Sequence, residues 1–77
     1  MNAREWVDAF AAAIGADPPT DEELKQVLDL AATAAHDSER IAAPVACWLG
    51  GTVEASLEEL QVAAKRIAGG SGADDAT

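Results

Sequence analysis

Three pairs of residues with one spacing set what this chain can fold into. Asn2 with Glu5, Thr20 with Glu23, and Ser56 with Glu59 each place a short polar side chain three positions before a glutamate. That spacing is a capping box: the first side chain accepts from the backbone N–H of the glutamate, whose carboxylate reaches back to the N–H of the first residue. Apolar residues recur at helical intervals behind each box. Trp6, Val7, Phe10, Ala11 and Ile14 form one stripe. Leu24, Val27, Leu28, Ala31, Ala34 and Ala35 form the second, read as a buried face. Leu57, Leu60, Ala64 and Ile67 form the last.

The breaks are as legible. Gly15 stands where a left-handed terminating residue is wanted, and Pro18-Pro19 cannot continue a helix. A further apolar set, Ile41, Val45, Trp48 and Leu49, gives a third helix with two possible starts. Either Ser38 caps it and it begins at Glu39, or it begins near Pro44, which suits a first turn. His36-Asp37-Ser38 ends or bends the second helix, Gly50-Gly51 ends the third, and Gly69-Gly70 stops the fourth. Alanine is abundant and clusters of β-branched residues with alternating polarity are missing. The expectation is an all-α, compact four-helix domain with short loops over 1–69 and a disordered tail over 70–77.

Seventy-seven residues allow one domain. So short a chain buries only roughly 60% of the surface its unfolded form exposes, which leaves little room for an enclosed cleft. That favours an interaction module over an enzyme acting alone. The net charge of −9 would repel a polyanion, so neither nucleic acid nor an anionic membrane is an expected partner. A basic or neutral protein surface is. No apolar run reaches the ~20 residues a membrane span needs, and the start does not read as a signal peptide, so a cytoplasmic protein is expected. The single Cys47 excludes an internal disulfide.

The segment from Ala35 to Leu49 holds the only His, the only Cys and one of two Trp. His36 beside Asp37, Ser38 and Glu39 has triad residue types, but neighbours on a turn do not converge and no nucleophile-elbow glycines flank Ser38. His36 is read instead as contacting the last carbonyls of the second helix or bonding across the bundle. Arg40 either holds an anionic ligand next to Ser38 or pairs internally with Glu39 or Asp29. Cys47, late in an apolar helix, is read as inert packing. Trp6 and Trp48 are expected in the core with an indole edge near solvent; an exposed one would be a natural interface anchor. The runs Asp21-Glu22-Glu23 and Glu58-Glu59 sit in first turns, where the helix dipole accounts for them, and no metal-ligand or phosphate-loop pattern accompanies them. No cofactor, metal or catalytic residue is assigned. The candidate partner or ligand surface is His36, Ser38, Glu39, Arg40 and Trp48.

Glu5-Trp6, Pro18-Pro19-Thr20, the stretch His36 to Pro44 and the following Ala46-Cys47-Trp48-Leu49 carry a resemblance. Over residues 2–69 the chain resembles a family of small bacterial helical domains of unknown function. Some members stand alone and others are fused behind a nucleotidyltransferase resembling molybdenum cofactor guanylyltransferase. The resemblance implies a link to molybdopterin guanine dinucleotide synthesis or insertion. This chain lacks the transferase's glycine-rich loop and Mg²⁺ carboxylates, so guanylyl transfer is not expected of it. The expected role is a non-catalytic accessory module. The alternatives are a phosphate- or nucleotide-like anion binder using His36 to Arg40, and a homodimerisation module.

Overall fold

The computed structural model describes residues 1–73, with side chains through Gly69. They form four α-helices: α1 Ala3–Ala13, α2 Asp21–Asp37, α3 Ala42–Gly51 and α4 Leu57–Ala73. There is no strand among the described residues, as the absence of alternating β-branched clusters led one to expect.

All three capping boxes form. Asn2 Oδ1 accepts from the Glu5 N–H at 2.7 Å and Glu5 Oε1 from the Asn2 N–H at 2.9 Å. Thr20 and Glu23 do the same at 3.0 and 2.9 Å, and Ser56 and Glu59 at 3.1 and 2.8 Å. At the other end of α1, Gly15 adopts a φ of +75°. The Ala16 N–H then reaches the Ala11 carbonyl at 2.8 Å and the Gly15 N–H the Ala12 carbonyl at 3.2 Å. That pair is a Schellman closure, which satisfies two carbonyls the helix end would otherwise leave open.

The start of α3 resolves toward Pro44. Ser38 caps α2 at its C-terminus, donating its Oγ–H and its N–H to the Ala34 carbonyl at 2.9 and 3.2 Å. α3 begins at Ala42 with no side-chain cap. Its first two amide N–H groups are met by the tight turn before it: Ala42 donates to the Glu39 carbonyl at 2.9 Å and Ala43 to Arg40 at 3.2 Å. Pro44 has no N–H to satisfy, which is why a proline is comfortable in that first turn.

The two glycine pairs differ: α3 ends at Gly51 as expected, though not through a left-handed glycine, whereas Gly69-Gly70 does not stop α4. Gly50 and Gly51 lie inside α3, and the helix is closed by Thr52, whose N–H and Oγ–H both go to the Leu49 carbonyl. α4 likewise runs through Gly69-Gly70 to Ala73. Among the described residues only Gly15 has a positive φ, so the other glycines are ordinary helical residues. Each weakens its helix by about 1 kcal/mol relative to alanine but does not stop it. Of the expected tail, 70–73 is therefore helical backbone, and 74–77 lies outside the described residues.

Packing is organised around α2, which lies against both α3 and α4. Leu30 of α2 is only 5% exposed and is the one large side chain that is buried among those described. A polar link crosses to α4: Gln61 Nε2 donates to Thr33 Oγ1 at 3.1 Å, while that hydroxyl donates to the Asp29 carbonyl. Gly50 brings α3 close to α4, since a Cβ there would sit 2.7 Å from Leu60 Cδ1. α1 has no comparable helix interface. Arg4 ties it down, donating from Nη2 to the Pro19 carbonyl and lying 3.3 Å from Asp8 and 3.6 Å from Asp21.

Candidate interaction surface

The five residues singled out in the sequence fall at the α2–α3 junction and on α3. His36 sits in the last turn of α2, Ser38 caps it, and Glu39 and Arg40 form the turn into α3. All four are exposed. Neither internal pairing expected for Arg40 occurs, because Asp29 is taken by Lys25 at 3.1 Å and Glu39 faces solvent. Among the described residues, His36, Glu39 and Arg40 make no side-chain hydrogen bond or ion pair, so the expected bonds of His36 to α2 carbonyls or across the bundle are also missing. The reason is geometric. The α2–α3 connection is a tight surface turn whose backbone groups close on themselves, leaving its long side chains directed outward.

These residues do not converge on a shared pocket. Ser38 lines a small hollow of about 270 Å³ where α2, α3 and α4 meet, together with Leu30, Ala34, Ala46 and Ile67. His36, Glu39 and Arg40 are not part of its wall. A larger open groove of about 750 Å³ runs between α2 and α4 and is lined by charges of both signs, including Lys25, Asp29, Glu58 and Lys65. It lies away from the segment the sequence pointed to. Among the described residues no group of three or more His, Cys, Asp or Glu is placed to hold a metal ion.

Trp48 overturns the expectation of a core indole. It is 69% exposed, and Ile41, Val45 and Leu49 are also more than half exposed. α3 carries no charged residue from Ala42 to Gly51. Charges bracket it instead: Asp37, Glu39 and Arg40 precede it and Glu54 follows, all exposed. The result is an apolar helical face with a mostly acidic border. Cys47 on the same helix is half-buried, and burial pushes its thiol up from its ordinary value. It therefore stays protonated at neutral pH and is a poor nucleophile, in keeping with inert packing.

Trp6 also lies outside the core, at 55% exposure, stacked on Phe10 with ring centroids 5.1 Å apart and planes 15° from parallel. Ile14 continues that line in an exposed position. Leu28 on α2, expected on the buried face, is exposed as well. Periodicity marked these residues as an apolar stripe but carries no information about which stripes the chain itself covers. Arg4 was not marked by any motif. Its role depends on the Pro18-Pro19 turn folding back beside α1, a contact across fifteen residues.

Fold and surface define a small four-helix domain that leaves large apolar side chains on all four helices in solvent, two of them tryptophans on α1 and α3. The chain belongs to the family described as Domain of unknown function (DUF6457), whose sequence model matches residues 1–75. No curated protein and no solved structure matches it. No helix among the described residues is long and apolar enough to cross a membrane.

Proposed function

We propose that this domain is a non-catalytic protein-interaction module whose docking surface is the outer face of α3 together with the turn that leads into it. The observation that carries this reading is the exposure of Trp48 on a charge-free helix, beside Val45 and Leu49. Tryptophan and arginine dominate the energetics of protein interfaces, and here Arg40 stands one residue before the apolar face begins at Ile41. A monomer has no reason to hold such a face in water, and a partner that covers it gains its burial. The acidic border selects a partner with a basic rim, because like charges across an interface oppose docking.

The family resemblance supplies the partner class. A nucleotidyltransferase resembling molybdenum cofactor guanylyltransferase, working in the cytoplasm, is the protein this domain would accompany in cofactor synthesis or insertion. The fusion to such enzymes that the resemblance implies would favour a contact that tethering makes more frequent.

Calorimetric titration of the domain against the cognate transferase tests the proposal. Binding with a dissociation constant below tens of micromolar is expected. Trp48→Ala should weaken it by about thirtyfold, the loss typical of a central anchor worth some 2 kcal/mol. Arg40→Ala should weaken it less and alter its dependence on salt. No heat and no shift of amide resonances at about 50 μM transferase, well above interface affinities of this kind, would refute the transferase as partner. Binding that Trp48→Ala leaves unchanged would refute the surface.

A further inference from the structure

We infer that the hollow where α2, α3 and α4 meet is a socket for one apolar side chain of a partner protein, carried there beside a lysine or arginine. Each of the three helices gives the hollow an alanine: Ala34, Ala46 and Ala64. Leu30, the one large buried side chain among those described, lines it too. Single methyl groups thus stand where a packed body of three helices would set interlocking large side chains. The result is an apolar space of about 270 Å³ that opens to solvent. Its wall lacks the partner atoms that close packing supplies, and an inserted apolar group would provide them.

Size limits the occupant. A cavity of about 150 Å³ holds one benzene ring, and pockets for whole ligands run from about 300 Å³ upward. At about 270 Å³ the hollow takes a phenyl, indole or branched aliphatic group and is too small for a nucleotide-sized ligand. That is the volume of one side chain.

Polarity selects what the side chain is carried beside. Thr33 and Ser38 line the hollow, but their hydroxyls are committed within the chain. Thr33 Oγ1 accepts from Gln61 and donates to the Asp29 carbonyl, and Ser38 Oγ donates to the Ala34 carbonyl. Asp37 is the one charged residue of the wall, and its exposed carboxylate has no hydrogen bond or ion pair among the described residues. It is also the last residue of α2, at the negative pole of the helix dipole. Both features favour a cation there. The chain supplies none: Lys65 and Arg66, next in sequence to Ala64, line the groove between α2 and α4 instead. A second copy of this chain, with its net charge of −9, is a poor source. A basic segment of another protein is the occupant that the charges select.

The socket is separate from the outer face of α3, since Ala46 is half-buried and Trp48 is not part of the wall. Amide resonances of the full chain are followed while phenethylamine is added to about 20 mM, a range that reaches the millimolar affinity of one small group. Shifts centred on Ala34, Ala46 and Ala64 are expected. Phenethylamine should bind about three- to fivefold more tightly than phenethyl alcohol, the range of an exposed ion pair, and hydrocinnamate more weakly than either. Asp37→Asn should erase the preference for the amine and leave the alcohol unaffected. Ala64→Leu fills the space and should abolish binding of all three probes with circular dichroism retained. If that variant does not fold, Ile67→Ala, at an exposed position on the wall, should weaken all three. An acetylated phenylalanyl-lysine amide should compete with phenethylamine. No shifts over the range, equal affinities for the three probes, or binding that survives Ala64→Leu in folded protein each overturns the inference. Binding of the amine without competition by the peptide overturns the protein partner and assigns the socket to a free amine. None of these probes involves the transferase, and Trp48→Ala should leave their binding unchanged, so failure here and failure of docking on α3 are read separately.

Discussion

α1 and α2 open with the same capping box, and their fates in the fold are opposite. α2 is 17 residues long, packs against two helices and holds Leu30 almost out of solvent. α1 is 11 residues long, buries one alanine and depends on a single arginine to stay in place. The same local signal therefore produces a load-carrying helix in one case and a loosely docked one in the other. Caps decide where a helix begins. What its faces meet is decided by chain length and connection geometry.

The strongest way to test that contrast is at Leu30. Leu30→Ala removes the one large buried side chain among those described and should lower global stability by about 2–4 kcal/mol, the range for cavity-forming core truncations. In a domain of this size that is a large share of the total. Urea unfolding followed by circular dichroism would show it as a fall in midpoint. A loss below about 1 kcal/mol, outside the core-truncation range, would mean that α2 is not the centre of the fold.

Arg4→Ala probes the other side of the comparison and should act locally. The two ion pairs of Arg4 contribute little: Nη1 and Asp8 Oδ1 make no hydrogen bond, the Arg4 side chain is a third exposed and Asp21 lies fully in solvent. The bond to the Pro19 carbonyl is charge-assisted and is the contact that matters. Its removal should speed hydrogen exchange of the α1 amides by about tenfold, equivalent to ~1.4 kcal/mol, while the α2 amides keep their protection. Equal loss of protection in α2 would show that α1 is integral to the cooperative unit and would erase the distinction.

Seen against these contrasts, the legible part of the fold is its local part. The boxes at Asn2, Thr20 and Ser56 and the left-handed Gly15 were all readable because each involves residues within five positions of one another. Ser38 was readable as a cap but not as to which helix it caps, since its hydroxyl reaches back to Ala34 and not forward. Gly50-Gly51 marked where α3 ends, but Gly69-Gly70 misled, because glycine permits a stop without requiring one. Trp48 was legible as part of the apolar set of α3 but not in depth: the expected core indole lies on the outside. An apolar stripe records that something must cover a face. Whether that something is the same chain is a property of tertiary packing, which periodicity does not encode.

The smallest effects separate two neighbouring glycines. Gly51 has nothing within 4 Å of where a Cβ would stand, so Gly51→Ala should stabilise the domain by about 0.5–1 kcal/mol through helix propensity alone. Gly50→Ala gains the same propensity but drives its Cβ to 2.7 Å from Leu60 Cδ1. The end of a leucine side chain can turn aside, at the expense of its packing between α3 and α4, and that cost should roughly offset the gain. Gly51→Ala should therefore unfold at higher urea than the parent, with Gly50→Ala at or below it. If both variants gain equally, the α3–α4 approach is soft enough to yield. Position 50 would then be free of the packing constraint, and α3 would be held by its contact with α2 alone.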